Sequence, residues 1–186
     1  KKYDDVITVV DDLLKTTETE IIPYSTLEKF ISSDDVVYKV YNTNNPGMIF
    51  SWGKLDVDAT GFGYDLMRHS KAFFCASSEL IGLYDEGNDL RFSRYYDKYD
   101  FNNYDEGIFY VATKNYCKAS TANEAYDQAL RLEEAYLNRA EAYIEKGEHE
   151  LGMDDVNAIR AERIKGEYEL VANSVDEARE FYRLEK

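Results

Sequence analysis

The sequence predicts a mostly α fold in which short antiparallel helical hairpins carry long irregular loops and a few short strands. Three observations predict it. Between Ala125 and Arg163, the residues Tyr126, Ala129, Leu130, Tyr136, Leu137, Ala140, Tyr143 and Ile144 fall on one broad apolar face at helical pitch. The pattern stops at Lys146-Gly147, where glycine can take the left-handed cap conformation. A second helix carrying Gly152, Val156 and Ile159 follows almost at once, so the stretch reads as a hairpin with a very short turn. From Gly53 to His69, by contrast, no period is sustained, and this is a long loop.

The small residues in the hairpin are informative. Ala140-x-x-Tyr143, then Gly152-x-x-x-Val156-x-x-Ile159, has the spacing of a tetratricopeptide unit, in which Ala140 and Gly152 let two backbones approach while Tyr143 and Val156 wedge beside them. One such unit cannot bury its own apolar face, so neighbouring helices must cover it.

The remaining elements follow from local signals. Tyr3, Val6, Ile7, Val10, Leu13 and Leu14 recur at spacings of three and four, an amphipathic helix beginning at or before Lys1. A helix already under way there suggests a chain cut from something longer; a natural N-terminal helix is the other reading. Pro23 ends any continuation, and Ser25-x-x-Glu28 is a capping box that can start a short helix through Phe30 and Ile31. Val36 to Tyr41 is β-branched and aromatic, hence a strand or extended segment. Asn42 to Gly47 is turn chemistry, and Met48 to Trp52 reads as extended. Ser77 caps a short helix with Leu80, Leu83 and Tyr84 facing inward, and a Gly87-Asn88 turn precedes Asp89-Leu90-Arg91. Tyr95 to Tyr104 is a ring-dense polar run, and Ile108 to Thr113 reads as a strand. Ser174-x-x-Glu177 is a second capping box, opening a helix through Arg183.

With 186 residues, the chain is long enough for one domain with a real core and too short for two comfortable ones. A formal charge of -15, with 37 acids against 22 bases, argues against a nucleic-acid surface, because contacting phosphate backbones requires Lys and Arg to displace counterions. Seventeen Tyr, nine Phe and one Trp make the composition ring-rich, and most of these rings are expected in packing. Cys75 and Cys117 have no CxxC or His pairing, which leaves buried free thiols or one disulfide; free and unreactive is favoured. No apolar run is long enough to span a bilayer, and no signal peptide is visible.

Wording adds to spacing. Leu130-Arg131-Leu132-Glu133-Glu134-Ala135-Tyr136-Leu137-Asn138-Arg139-Ala140-Glu141-Ala142, followed by Asp155-Val156-Asn157-Ala158-Ile159-Arg160-Ala161-Glu162-Arg163, resembles the hallmark near the C-terminus of the SusD/RagB family. Ser78-Glu79-Leu80, Leu83-Tyr84 and Asp89-Leu90-Arg91 give a second stretch of resemblance. Glu133, where the family more often has a small residue, is a departure. The resemblance implies a SusD-like fold and an outer-membrane nutrient-binding lipoprotein of a Bacteroidetes-type bacterium. Its implied partners are a glycan or oligosaccharide and a SusC-like TonB-dependent transporter. It further implies that the leader and the lipid-bearing cysteine, the sole means of membrane attachment, lie upstream of Lys1, and that a further family hallmark follows Lys186. On this reading residues 1–186 form one SusD-like domain fragment: 1–31 scaffold helices, 32–124 a loop-rich ligand-binding region, and 125–186 the hairpin and the helix after it.

The candidate ligand contacts come from the long loop, since loops held on a rigid scaffold concentrate binding residues. A flat ring stacks on the apolar C–H face of a sugar while polar groups at the rim satisfy its hydroxyls. Trp52, Phe62 and Tyr64 are the ring candidates, joined by Tyr95, Tyr96 and Tyr104, with Asp58, Asp65, Arg68 and His69 as polar rim. Trp52, next to an apolar run, reads more readily as core than as a platform. Arg131, Glu134, Tyr136, Asn138, Arg139, Asn157 and Arg160 are hallmark residues expected to fix the scaffold through ion pairs and caps rather than to act on ligand.

No catalytic residue, cofactor or metal is assigned. Carboxylates abound for a glycosidase pair, but abundance is not geometry, and His69 and His149 belong to no triad pattern. Asp56-x-Asp58 and Asp85-Glu86-Gly87-Asn88-Asp89 cluster oxygen ligands without continuing into an EF-hand loop, so loop solvation is the favoured role. The alternative function is a tetratricopeptide-type scaffold whose helical face binds a peptide or another protein.

Overall fold

The computed structural model describes residues 2–27, 29–31, 36–38, 46–53, 75–100, 108–112 and 126–186. Its contacts group the chain into two units: Lys1–Ile22, Pro46–Ile49 and Leu130–Lys186 form the first, Pro23–Asn45 and Phe50–Ala129 the second. The described residues are mostly helical, with a few short strands in two-stranded pairs.

In the first unit, helix α1 runs Tyr3–Thr16. It stops well before Pro23, with Thr17 already extended at φ −94° and ψ 143°. Helices α4 (Leu132–Glu145) and α5 (His149–Arg163) are the expected hairpin. Gly147 sits at φ 87°, its N–H donates to the Ile144 carbonyl at 3.0 Å, and the Glu148 N–H donates to the Tyr143 carbonyl at 2.9 Å. Those two bonds make a Schellman cap, which turns the chain within two residues. Helix α6 (Val175–Glu185) opens on Ser174, whose hydroxyl accepts the Glu177 N–H at 3.2 Å. The Glu177 carboxylate reaches back one residue further than a capping box requires, to the Asn173 N–H at 2.7 Å.

These three helices share one core. Leu137, Ala140 and Ile144 of α4 meet Met153, Val156 and Ile159 of α5, and Ala178 and Tyr182 of α6 close the third side. Ala140, Val156, Ile159 and Ala178 are fully buried. The small positions thus lie at the closest approach, as the spacing predicts.

Strand β3 (Met48–Gly53) pairs with β6 (Tyr126–Arg131). Here the sequence expectation fails: Tyr126 to Arg131 is strand, not the first turns of the helix. Arg131 is extended, at φ −110° and ψ 158°, and the Leu132 N–H donates to the Gly47 carbonyl at 2.8 Å. Apolar residues at 126, 129 and 130 satisfy either period, and a partner strand supplied the deciding hydrogen bonds.

In the second unit, β1 (Lys29–Ile31) pairs antiparallel with β2 (Val36–Tyr38), Phe30 opposite Val37. The helix expected from Ser25 does not form. The Thr26 N–H and hydroxyl both bond to the Pro23 carbonyl, at 2.9 and 2.8 Å, which makes a tight turn, and Phe30 and Ile31 then take the strand conformation their side chains favour. Helix α2 (Ser78–Ile81) is capped by the Ser77 hydroxyl, which accepts the Leu80 N–H at 3.2 Å. It is too short to present an inward face: Leu80 and Leu83 are exposed, contrary to expectation, and only Tyr84 is half-buried. Helix α3 (Leu90–Tyr95) leads directly into β4 (Tyr96–Asp100), which pairs antiparallel with β5 (Ile108–Ala112), Lys98 opposite Tyr110.

Candidate functional site

Of the predicted ligand contacts, Trp52 lies in β3. Asp58, Phe62, Tyr64, Asp65, Arg68, His69 and Tyr104 lie outside the described residues, as do Asp56 and Cys117.

Two groups of described rings stand out in the second unit. Tyr95, the last residue of α3, is buried against Tyr24 with ring centroids 5.8 Å apart, and the two hydroxyls hydrogen-bond. Arg94 ties the same corner by donating from Nε to the Tyr24 carbonyl at 3.2 Å. Tyr95 is therefore a packing residue. The second group is Tyr84, Phe92, Tyr96 and Tyr110, all half-buried. Phe92 stands edge-on to Tyr110 at 5.1 Å and Tyr84 edge-on to Tyr96 at 5.6 Å. Burial pushes the Tyr96 hydroxyl well above its ordinary pKa of 10.0, so it stays protonated and able to donate. The Arg91 guanidinium lies 5.5 Å from the Tyr84 ring centroid and is fixed by Asp89, with Nη2 to Oδ2 at 2.6 Å. Flat rings, a phenol and a fixed cation in one cluster have the chemistry to meet a polyhydroxylated molecule. Spacing gave no sign of this cluster, because its rings come from a turn, a helix and two strands.

The hallmark residues of the first unit pair across helices more than along them. Arg131, in β6, lies 3.3 Å from Glu133 and 3.9 Å from Glu134. Arg139 of α4 grips Asp155 of α5 with two bonds, Nε to Oδ2 at 2.9 Å and Nη2 to Oδ1 at 2.7 Å, and Asp11 of α1 with a third at 2.6 Å. That pairing raises the guanidinium's pKa further, while burial pushes the Asp155 carboxyl upward against the pull of Arg139. The Tyr136 ring lies 5.5 Å under the Arg139 guanidinium. Asn157 reads the backbone of Leu170 in both directions, donating from Nδ2 and accepting at Oδ1, each at 2.9 Å. Arg160 donates to the Tyr168 carbonyl at 2.6 Å and to Glu185 at 2.7 Å. Asn138 is exposed and lines a cleft between α4 and α1.

Sequence reasoning missed the acids behind this network. Glu133 is fully buried, 3.3 Å from Arg131 and 3.8 Å from Arg163, and Arg163 in turn lies 3.5 Å from Glu185, itself 3 % exposed. The one signal was Glu133 standing where the resembled family more often has a small residue.

Among the described residues no group of three His, Cys, Asp or Glu is placed to hold a metal ion. The Asp85 oxygens instead accept from the Gly87 N–H at 3.0 Å and the Asn88 amide at 2.8 Å, closing a turn. Cys75 is a free thiol and exposed, not buried. No helix among the described residues is long and apolar enough to cross a membrane.

Comparison with known proteins gives a fold. No protein-family model matches the chain, and no curated protein is detectably similar. Among solved structures, a SusD-like protein from Bacteroides fragilis superposes with a TM-score of 0.60 at 19% identity, covering 99% of this chain and 47% of that one. The chain therefore has a SusD-like fold and spans about half the length of that neighbour.

Proposed function

We propose that the chain captures a glycan or oligosaccharide at the outer face of an outer membrane and delivers it to a SusC-like TonB-dependent transporter, with no covalent chemistry of its own. The observation that carries this reading is the SusD-like fold along 99% of the chain, which agrees with two stretches of family-like wording, at 78–91 and 130–163. The ring-rich composition and the half-buried cluster of Tyr84, Phe92, Tyr96 and Tyr110 support a sugar over an ionic ligand. Phe62 and Tyr64, between glycines and acids in sequence, are the proposed platforms together with Trp52, with Asp58, Asp65, Arg68 and His69 as rim. Several weak contacts along a polymer would supply affinity, and a lipid anchor the attachment.

The test is a titration with soluble plant, fungal and host glycans, following Trp52 fluorescence and release of reducing sugar in the same samples, with calorimetry alongside. Saturable binding of one glycan class without sugar release, weakened in Phe62→Ala and Tyr64→Ala, is the expected result. Release of sugar would make the protein an enzyme, and silence across the panel by both methods would favour a protein-binding scaffold.

A further inference from the structure

We infer that α1 is a latched helix, clipped to α4 by charge and able to swing away while the α4–α5 hairpin stays folded. The first observation is how little α1 buries. Its apolar residues make a strong face, yet only Val10 is buried, and Val9 is 67% exposed. Helices α4 and α5 bury seven and six residues respectively. Between α1 and α4 runs an open cleft of about 520 Å³ lined by Tyr3, Val6 and Val10 on one side and Asn138, Glu141 and Ala142 on the other. One flank of the α1–α4 contact is therefore open to solvent.

The second observation is the clip. Asp11 Oδ1 lies 2.6 Å from Arg139 Nη1, and Asp4 Oδ1 lies 2.6 Å from Lys146 Nζ, so ion pairs hold the first turn and the second half of α1. Both cations have a second acid that is not on α1. Arg139 keeps its two bonds to Asp155, and Lys146 keeps Glu148 at 3.2 Å. Departure of α1 therefore strands no buried cation, and Asp4 and Asp11 pass into water. A buried ion pair normally resists separation because the partner left behind has lost its compensation. Here that penalty is removed on the side that stays behind, which is what a reversible latch requires. Local opening of this kind is a sub-global event whose free energy lies below that of global unfolding.

Hydrogen exchange on the full chain, resolved by segment, tests this. In the unaltered chain the α1 amides should exchange at least ~10-fold faster than those of α4 and α5. Asp11→Asn should speed α1 by roughly tenfold or more and leave α4 and α5 unchanged, the change expected for loss of one charge-assisted bond. Asp12→Asn removes a neighbouring acid that pairs only with Lys15 at 3.5 Å, on the solvent side, and should change nothing. Asp4→Asn gives a second latch variant, with an effect confined to α1. Equal protection of α1 and the hairpin in the unaltered chain, or equal acceleration of all three helices by Asp11→Asn, would overturn the inference by showing that α1 opens only with the whole unit.

Discussion

A Cβ built on Gly152 would lie 2.5 Å from Ile144 Cγ1 and 3.0 Å from the Ala140 carbonyl oxygen, so α4 and α5 meet at a distance that admits no side chain at position 152. One of the two obstacles is backbone and the other sits on a β-branched, fully packed side chain, so neither gives way cheaply.

Gly152→Ala should therefore destabilise the hairpin by about 1–3 kcal/mol, although alanine is the better helix former by roughly 1 kcal/mol. Urea unfolding followed by far-UV circular dichroism measures the difference; an unchanged or higher midpoint would mean that the two helices separate freely.

Gly147 gives a contrasting case. Nothing lies within 4 Å of a Cβ built there, but its φ of +87° is strained for any residue with a side chain. Gly147→Ala should cost about 1 kcal/mol through the backbone alone, and Gly147→Asn, which tolerates the left-handed region better, should cost less. The order of the two midpoints separates backbone strain from crowding.

Glu133, fully buried, lies between Arg131 and Arg163. Glu133→Gln leaves Arg131 and Arg163 partly uncompensated and should lower stability by about 3 kcal/mol. Glu134→Gln, whose side chain is 42% exposed and 3.9 Å from Arg131, should fall within about 0.5 kcal/mol of the unaltered protein. Parallel denaturation of the two variants checks the contrast.

Asp85 supplies a pH dependence. The Asn88 amide and the Gly87 N–H bond its carboxylate and hold its pKa below the ordinary value of 3.8. Because the folded value is the lower one, the contribution to stability is present above pH 3.8 and is lost as the pH falls through the folded value. An NMR titration of the Asp85 carboxyl should report a midpoint under 3.8, rising towards it in Asn88→Ala. Equal midpoints in the two proteins would remove the turn from the explanation.

Local chemistry was legible at Ser77 and Ser174, each of which accepts an N–H three residues ahead and marks a helix start, but the same kind of signal at Ser25 gave a turn instead. The candidate site was less legible. Its loop residues were chosen for their type and surroundings, whereas the cluster of Tyr84, Phe92, Tyr96 and Tyr110 is assembled by the pairing of β4 with β5, which no single stretch encodes.

By itself the sequence determined that α4 and α5 form a hairpin, because Gly147, Gly152, Ala140 and Val156 act through bonds and contacts at helical spacing. The tertiary structure alone decided that Tyr126 to Arg131 is a strand and that Glu133 is buried. The hydrogen-bond partners of the first come from β3, and the countercharge of the second includes Arg163 of α5, itself paired with Glu185 of α6. An apolar pattern with two readings, or a carboxylate whose countercharges come from other helices, has its energy set by groups that arrive only when the chain folds.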